Sequence, residues 1–181
     1  MAILFLNMLM ARNFIAMKPD LVRPDIEILE ILQTDGRVSN RDLAARVALS
    51  PSPCWRRVRA LEDAGVIERY VALLAPDKLG LAVIAFAHVS LTDHHPQTVE
   101  EFDAAVARAP EVLECYMTSG EHDYMLKVIT ADMASYEHFL SEKMLRLPSV
   151  RTVNTGFVLR RKKYTTALPL PEPGPKRGPQ T

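Results

Sequence analysis

Apolar residues recur at helical spacing through residues 25–36, where Ile28, Leu29, Ile31 and Leu32 mark one side, Pro24 suits a first turn and Gly36 is a stop signal. A second helix follows, with Ser39 as N-cap, Asp42 completing an approximate capping box, and Leu43, Ala44 and Val47 as its stripe through Ala48. Ser50 then caps a third helix that runs to about Ala64 and is closed by Gly65. Pro51 and Pro53 fit its first turn, where early N–H groups have no intrahelical partner to lose. On this helix Cys54, Val58 and Leu61 share a buried face, which turns Ser52, Trp55, Arg56, Arg57 and Arg59 toward the others. Residues 66–74 are apolar and β-branched and predict a short strand pair or wing ending at Pro76.

After Leu81 the pattern shortens to alternation. Residues 83–92 read as a strand, 96–109 as a helix with Val99, Phe102 and Val106 inward, and 112–119 and 124–130 as strands around Gly120. Asp132 caps a helix that buries Tyr136, Phe139 and Leu140, and 150–159 is a last strand. The order β-α-β-β-α-β is the ferredoxin-like arrangement, an antiparallel sheet with both helices on one face. Along the first strand Val83, Ala85, Ala87, Val89 and Leu91 face one way and Ile84, Phe86, His88 and Ser90 the other. Neither side is cleanly polar, so a partner subunit is the economical cover for the face without helices. The fold class is α+β: a winged, three-helix helix-turn-helix domain over 21–75, a linker over 76–81, and a ferredoxin-like dimerisation domain over 82–163, which the resemblance described below also makes the effector-binding domain. Residues 1–20 read as a disordered or non-native extension, with the natural start near Met17. Residues 164–181 read as a proline-rich flexible tail, since Pro169, Pro171, Pro173, Pro175 and Pro179 interrupt it from Leu168 onward.

Charge sharpens this picture. The chain has 22 basic and 22 acidic residues and no net charge, so affinity for nucleic acid must come from uneven placement. Between residues 37 and 69, Arg37, Arg41, Arg46, Arg56, Arg57, Arg59 and Arg69 outnumber Asp42, Glu62, Asp63 and Glu68, whereas 91–142 is mostly acidic. A basic run, Arg160-Arg161-Lys162-Lys163, precedes the tail. Two helices joined by a short turn, the second with arginines near its start, predict a protein that lays that helix in the major groove of double-stranded DNA. Ser50 and Ser52 can donate to phosphate, Arg56, Arg57 and Arg59 can reach phosphates or guanine edges, and Trp55 can pack on the backbone or a thymine methyl. Arg37 and Arg41 are expected as phosphate clamps, with Ser39 and Asn40 beside them.

Other chemistry is thin. Cys54 and Cys115 are far apart in apolar surroundings and give neither a disulfide framework nor a metal motif, which suits a reducing cytoplasm. Cys54 reads as core filling. His94 and His95 are adjacent, and His88, His122 and His138 are scattered without metal-ligand spacing, so all are expected in solvent. The apolar run at 3–10 is too short to span a bilayer. No nucleophile set, phosphate loop or cofactor motif stands out, so no enzyme, metal or cofactor is expected. An RNA-reading sheet would want paired aromatics, and only Phe86 and Tyr116 approach that.

Several segments together resemble one family. Asp35-Gly36-Arg37-Val38-Ser39-Asn40, Leu49-Ser50-Pro51-Ser52-Pro53-Cys54, Arg56-Arg57-Val58-Arg59-Ala60-Leu61-Glu62, Gly65-Val66-Ile67 and Gly120-Glu121-His122-Asp123-Tyr124 are similar to the leucine-responsive/asparagine-type (Lrp/AsnC) bacterial regulators in order and spacing. The resemblance covers residues 25–159. Lys163-Tyr164-Thr165-Thr166-Ala167-Leu168-Pro169 with Pro53-Cys54-Trp55 resembles the branch that controls cysteine detoxification. The resemblance implies control of amino-acid metabolism genes by homodimers that pair through their sheets and assemble into tetramers or octamers. A dimer implies an imperfectly palindromic operator with half-sites about 34–36 Å apart or a multiple of it. It also implies an amino-acid effector, cysteine or leucine among the candidates, bound between subunits near Gly120. There Gly120 allows close backbone approach, exposed N–H groups can receive a carboxylate, and Glu121 or Asp123 can meet an ammonium, with His122, Thr118 and Tyr124 as further candidates. Taken by itself, without the resemblance, the same loop reads first as an ordinary hairpin turn, since Gly and Asp are favoured there for backbone reasons. Leu21-Val22-Arg23-Pro24-Asp25 departs from the family's usual opening of the first helix, and His122 stands at a variable place.

Overall fold

Ile28, Leu29, Leu43, Ala44, Val47, Cys54 and Leu61 meet in one buried cluster because three amphipathic helices each contribute a stripe to it. These are α1 (Arg23–Leu32), α2 (Asn40–Arg46) and α3 (Pro51–Asp63). The computed structural model describes residues 20–172, so the expected extension lies outside the described residues except at residue 20. The helix expected from residue 25 begins two residues earlier, with Asp25 Oδ2 accepting from the Val22 N–H at 3.1 Å. α2 and α3 both end in the same backbone motif. The N–H of Gly65 bonds Glu62 O and that of Val66 bonds Leu61 O, while Ala48 bonds Ala45 O and Leu49 bonds Ala44 O. The motif needs a left-handed residue, supplied by Gly65 at φ 68° after α3 but by Ala48 at φ 51° in the helix-turn-helix turn.

Ser50 stands at the N-cap of α3 without a side-chain cap bond. The reason is local: one N–H that a capping hydroxyl would take belongs to position N3, and that residue is Pro53. Residues 66–74, expected to form a strand pair, run on without strand pairing. No turn divides Glu68–Leu74 into two strands, so the segment has no hairpin partner of its own.

The tail differs from expectation as well. Residues 165–172 group with residues 20–72 as one compact unit, and Leu73–Tyr164 form the other. Gln33, at the end of α1, receives the Leu168 N–H on Oε1 and donates Nε2 to Leu168 O, and Leu170 packs on the three-helix cluster. Proline stiffens this stretch and lowers the entropy lost on docking, which compositional reading takes as disorder. The remainder of the tail lies outside the described residues.

The second unit is built on β1 (Val83–Leu91), α4 (Pro96–Arg108), β2 (Val112–Met117), β3 (Tyr124–Thr130), α5 (Met133–Phe139) and β4 (Val150–Phe157). The sheet is antiparallel in the order β2-β3-β1-β4. Ala85, Ala87, Val89 and Leu91 alternate onto the face that holds Phe102, Tyr136, Phe139 and Met144. α5 runs into a π turn, Leu140–Met144, that swings Met144 into this core. The opposite face presents Ile84, Phe86, His88, Met125 and Lys127, each half-buried within the single chain. Among the described residues no helix is long and apolar enough to cross a membrane.

Relieving the left-handed alanine is expected to stabilise the first unit. Ala48→Gly should raise its unfolding free energy by about 1 kcal/mol, read by urea titration of the fluorescence of the single tryptophan, Trp55. No gain would mean that the turn relaxes away from the left-handed region.

Candidate functional site

With Cys54 and Leu61 buried, the outward face of α3 consists of Ser52, Trp55, Arg56, Arg59 and Asp63. Trp55 is 53% exposed, outside the buried cluster, and Arg59 lies over its ring at 5.7 Å. The spacing of these residues is that of one helical face. Arg56 is exposed and has no ion pair among the described residues, and the same holds for Arg37 in the turn before α2 and Arg41 in its first turn.

Arg59 also pairs with Glu62 Oε2 of its own helix at 3.1 Å, and three other expected DNA contacts are engaged with partners inside the protein. Arg57 Nη1 pairs with Asp25 Oδ1 at 2.9 Å, and that carboxylate is only 14% exposed, so Arg57 braces α3 against α1. Asn40 donates Nδ2 to Pro51 O at 2.9 Å and ties α2 to the first turn of α3. Ser39 caps α2, accepting from the Asp42 N–H and donating to Asp42 Oδ2. Helical spacing puts these residues on exposed faces; only the crossing of one helix over another shows that they have partners. Ser50 and Ser52 are exposed beside the first turn of α3, where Pro51 and Pro53 have no N–H and the Cys54 N–H bonds Ser50 O, so the Ser52 N–H is the backbone donor left for an anion. Cys54 is fully buried, and desolvation pushes its thiol pKa up, as core filling requires.

The loop after β2 turns at Gly120, where an added Cβ would meet nothing within 4 Å. Thr118 closes it twice, with its N–H bonding Asp123 O at 2.8 Å and its hydroxyl bonding His122 O at 2.7 Å. The Asp123 side chain is occupied: Oδ2 accepts from the Leu91 N–H and Oδ1 pairs with His94, both at 2.8 Å. Burial alone would raise this carboxyl. The hydrogen bonds from His94 and Leu91 and the charges of His94 and Arg151 outweigh burial, and its pKa lies below the ordinary range. Tyr124 is turned inward and 4% exposed, stacked at 4.7 Å on Phe102, because as the first residue of β3 it shares the phase of buried Leu126 and Val128. Burial, then the nearby charges of Asp103, Cys115 and Asp123, push its hydroxyl up to about 12.

What remains for a ligand at this loop is Gly120 and Glu121, with His122 beside them. His122 lies over the outer sheet face, its ring 5.4 Å from that of His88 and its Nδ1 3.2 Å from Ser90 Oγ. His94, His95 and His138 are exposed as expected, but His88 and His122 half-bury one another. Alternation along β1 already put His88 and Ser90 on that face; what the sequence does not show is that the loop folds back over them. Among the described residues no cluster of three or more His, Cys, Asp or Glu side chains could hold a metal.

The fold and these two regions recur in known proteins. A family model described as a winged helix-turn-helix DNA-binding domain matches residues 23–68, and one described as the Lrp/AsnC ligand binding domain matches residues 84–168. The leucine-responsive regulatory protein of Salmonella typhimurium is 44% identical over 149 residues, spanning 82% of this chain and 91% of that one. A transcriptional regulator from Neisseria meningitidis, solved as a complex with L-Met, superposes with a TM-score of 0.80 at 44% identity and covers 82% of this chain and 96% of its own. An AsnC family transcriptional regulator from Agrobacterium tumefaciens gives 0.78 at 40% identity, over 82% and 97%.

The depressed Asp123 pKa fixes a sign. A carboxylate whose folded pKa lies below its unfolded value of about 3.9 stabilises the fold above that value and loses the contribution as pH falls through the folded one. Asp123→Asn should therefore melt below the parent protein above about pH 5, with the gap closing in more acid solution. A gap that stayed constant from neutral to acid pH would show that the Asp123 charge does not hold the loop.

Proposed function

The chain belongs to the Lrp/AsnC family of transcription regulators, and from that membership we propose how its two units divide the work. It is a regulator with a helix-turn-helix DNA-binding domain and a family ligand-binding domain, and not an enzyme. In our reading Ser52, Trp55, Arg56 and Arg59 enter the major groove, Arg37 and Arg41 hold flanking phosphates, and the Ser50 hydroxyl with the Ser52 N–H meets a phosphate at the start of α3. Arg57, Asn40 and Ser39 support that face from behind. The observation that carries this reading is on α3: Arg57 is turned to Asp25 of α1, while Trp55, Arg56 and Arg59 are exposed on the outward face, Arg56 without an ion pair among the described residues and Arg59 paired only with Glu62 of its own helix.

The ligand of the second unit is an amino acid, taken at the Gly120 loop, with backbone N–H groups for the carboxylate and Glu121 for the ammonium. The L-Met complex of the Neisseria relative supports the class. Cysteine and leucine are the first ligands to test, cysteine because of the tail and Pro53-Cys54-Trp55 motifs. The half-buried outer sheet face supports a homodimer that pairs there, grows to tetramers or octamers, and reads an imperfect palindrome near genes of amino-acid metabolism.

Gel shifts on the region upstream of its own gene, over a salt series, test the DNA face. Arg56→Ala should weaken binding and flatten the log-log salt dependence by about 0.9 for each phosphate that this arginine neutralises. Arg57→Ala should instead cost about 1–2 kcal/mol of stability in the first unit, because it strands a mostly buried carboxylate. If Arg57→Ala changes the slope and Arg56→Ala does not, the two faces have been assigned the wrong way round. For the effector, Gly120→Leu should leave the melting temperature in place, since the loop has room, and abolish any calorimetric amino-acid signal. Retained binding would remove Gly120 from the site.

A further inference from the structure

Glu62, near the end of α3, stands in the middle of a chain of three side chains. Its Oε2 accepts from Arg59 Nη1 at 3.1 Å, and its Oε1 accepts from the Tyr70 hydroxyl at 3.2 Å. Arg59 lies over Trp55, so the chain ends on the outward face of α3. Tyr70 lies beyond the helix, on the segment that leaves the first unit without strand pairing. Its ring rests against the turn after α1, where a Cβ added at Gly36 would come 3.6 Å from its Cδ1. Burial first, and Glu62 second, hold the Tyr70 hydroxyl above its ordinary pKa, so it remains a donor.

We propose that Tyr70 and Glu62 are positioning residues for DNA reading: the phenol fixes one carboxylate oxygen of Glu62, which presents the other to Arg59 and holds its guanidinium stacked on Trp55 before DNA arrives. This rests on assigning the Trp55–Arg59 face to DNA. An arginine loose on a helix surface surrenders many rotamers when it binds, and holding it beforehand removes that cost. Glu62 also offsets the charge of Arg59, so the arginine contributes a directed contact rather than general attraction to phosphate, which improves discrimination between sites. A tyrosine on the exit segment thereby sets an arginine on the reading face, and a shift of that segment is felt at the DNA.

The test uses the full-length protein and its upstream DNA, with sheared unrelated DNA as competitor, for Tyr70→Phe, Arg59→Ala, their double variant and Glu62→Gln. Trp55 fluorescence checks that each variant is folded. Tyr70→Phe keeps the ring and should lower the specific-to-nonspecific affinity ratio by about 3- to 10-fold, the net contribution of one hydrogen bond, at an unchanged salt slope. Adding it to Arg59→Ala should cost nothing more, as expected of residues acting through one another. Glu62→Gln keeps an acceptor for Tyr70 but loses the charge, and should raise nonspecific binding while lowering the ratio. A Tyr70→Phe ratio equal to the parent's while Arg59→Ala lowers it, or a Tyr70→Phe loss of the same size in both backgrounds, overturns the positioning role. An Arg59→Ala protein equal to the parent in ratio and slope would instead refute the DNA-face assignment, and the proposal would fall with it.

Discussion

The ion pair between Arg57 and Asp25 fixes how α3 lies on α1, and the outward face of the first unit depends on it. A helix presents one side reliably only if its other side is held, and the apolar holdfasts of α3 are few, with Cys54 and Leu61 fully buried. A small core of seven residues leaves a helix some freedom to roll. A directional pair of charges, one of them largely desolvated, removes it. The Asn40 amide on Pro51 O adds a second restraint at the N-terminus of the helix, tying it to α2. With both in place, Ser52, Trp55, Arg56 and Arg59 can point only outward.

The same use of charge appears in the second unit. Asp123 looks like a ligand for an ammonium, yet its two oxygens hold the Leu91 N–H and His94. It keeps the loop closed so that Gly120, Glu121 and His122 have a defined position. In both units a residue whose type suggests binding is occupied as scaffold, Arg57 in the first and Asp123 in the second, and on α3 the neighbour in sequence, Arg56, is left exposed. This follows from helix and strand geometry, because adjacent residues point in different directions and only one of them can meet the solvent-facing partner.

Much of the architecture was legible in the chain. The switch from helical spacing to alternation near Leu81, the caps at Ser39 and Asp132, and the glycine after α3 are signals that act within a few residues of where they stand. That residues 66–74 stay unpaired was not legible, since pairing needs a partner that local propensity does not supply. The docked tail was missed for a related reason. Proline content measures how poorly a segment builds its own helix or sheet, and the Leu168 and Leu170 contacts use a surface supplied by α1 and its neighbours instead.

By itself, then, the sequence determined the two units, the order of their elements, the buried stripe of each helix and the family, because these follow from periodicity and short motifs that each stretch carries alone. Tertiary structure decided which polar residues are available. Arg57, Asn40 and Asp123 read like Arg56, Ser52 and Glu121 as types, and only the approach of Asp25, Pro51 and Leu91 separates the two groups. Those partners come from 11 to 32 residues away in the chain for the three polar cases. A hydrogen bond or ion pair is decided by distances of a few ångströms, and over such separations the packing of whole elements sets those distances.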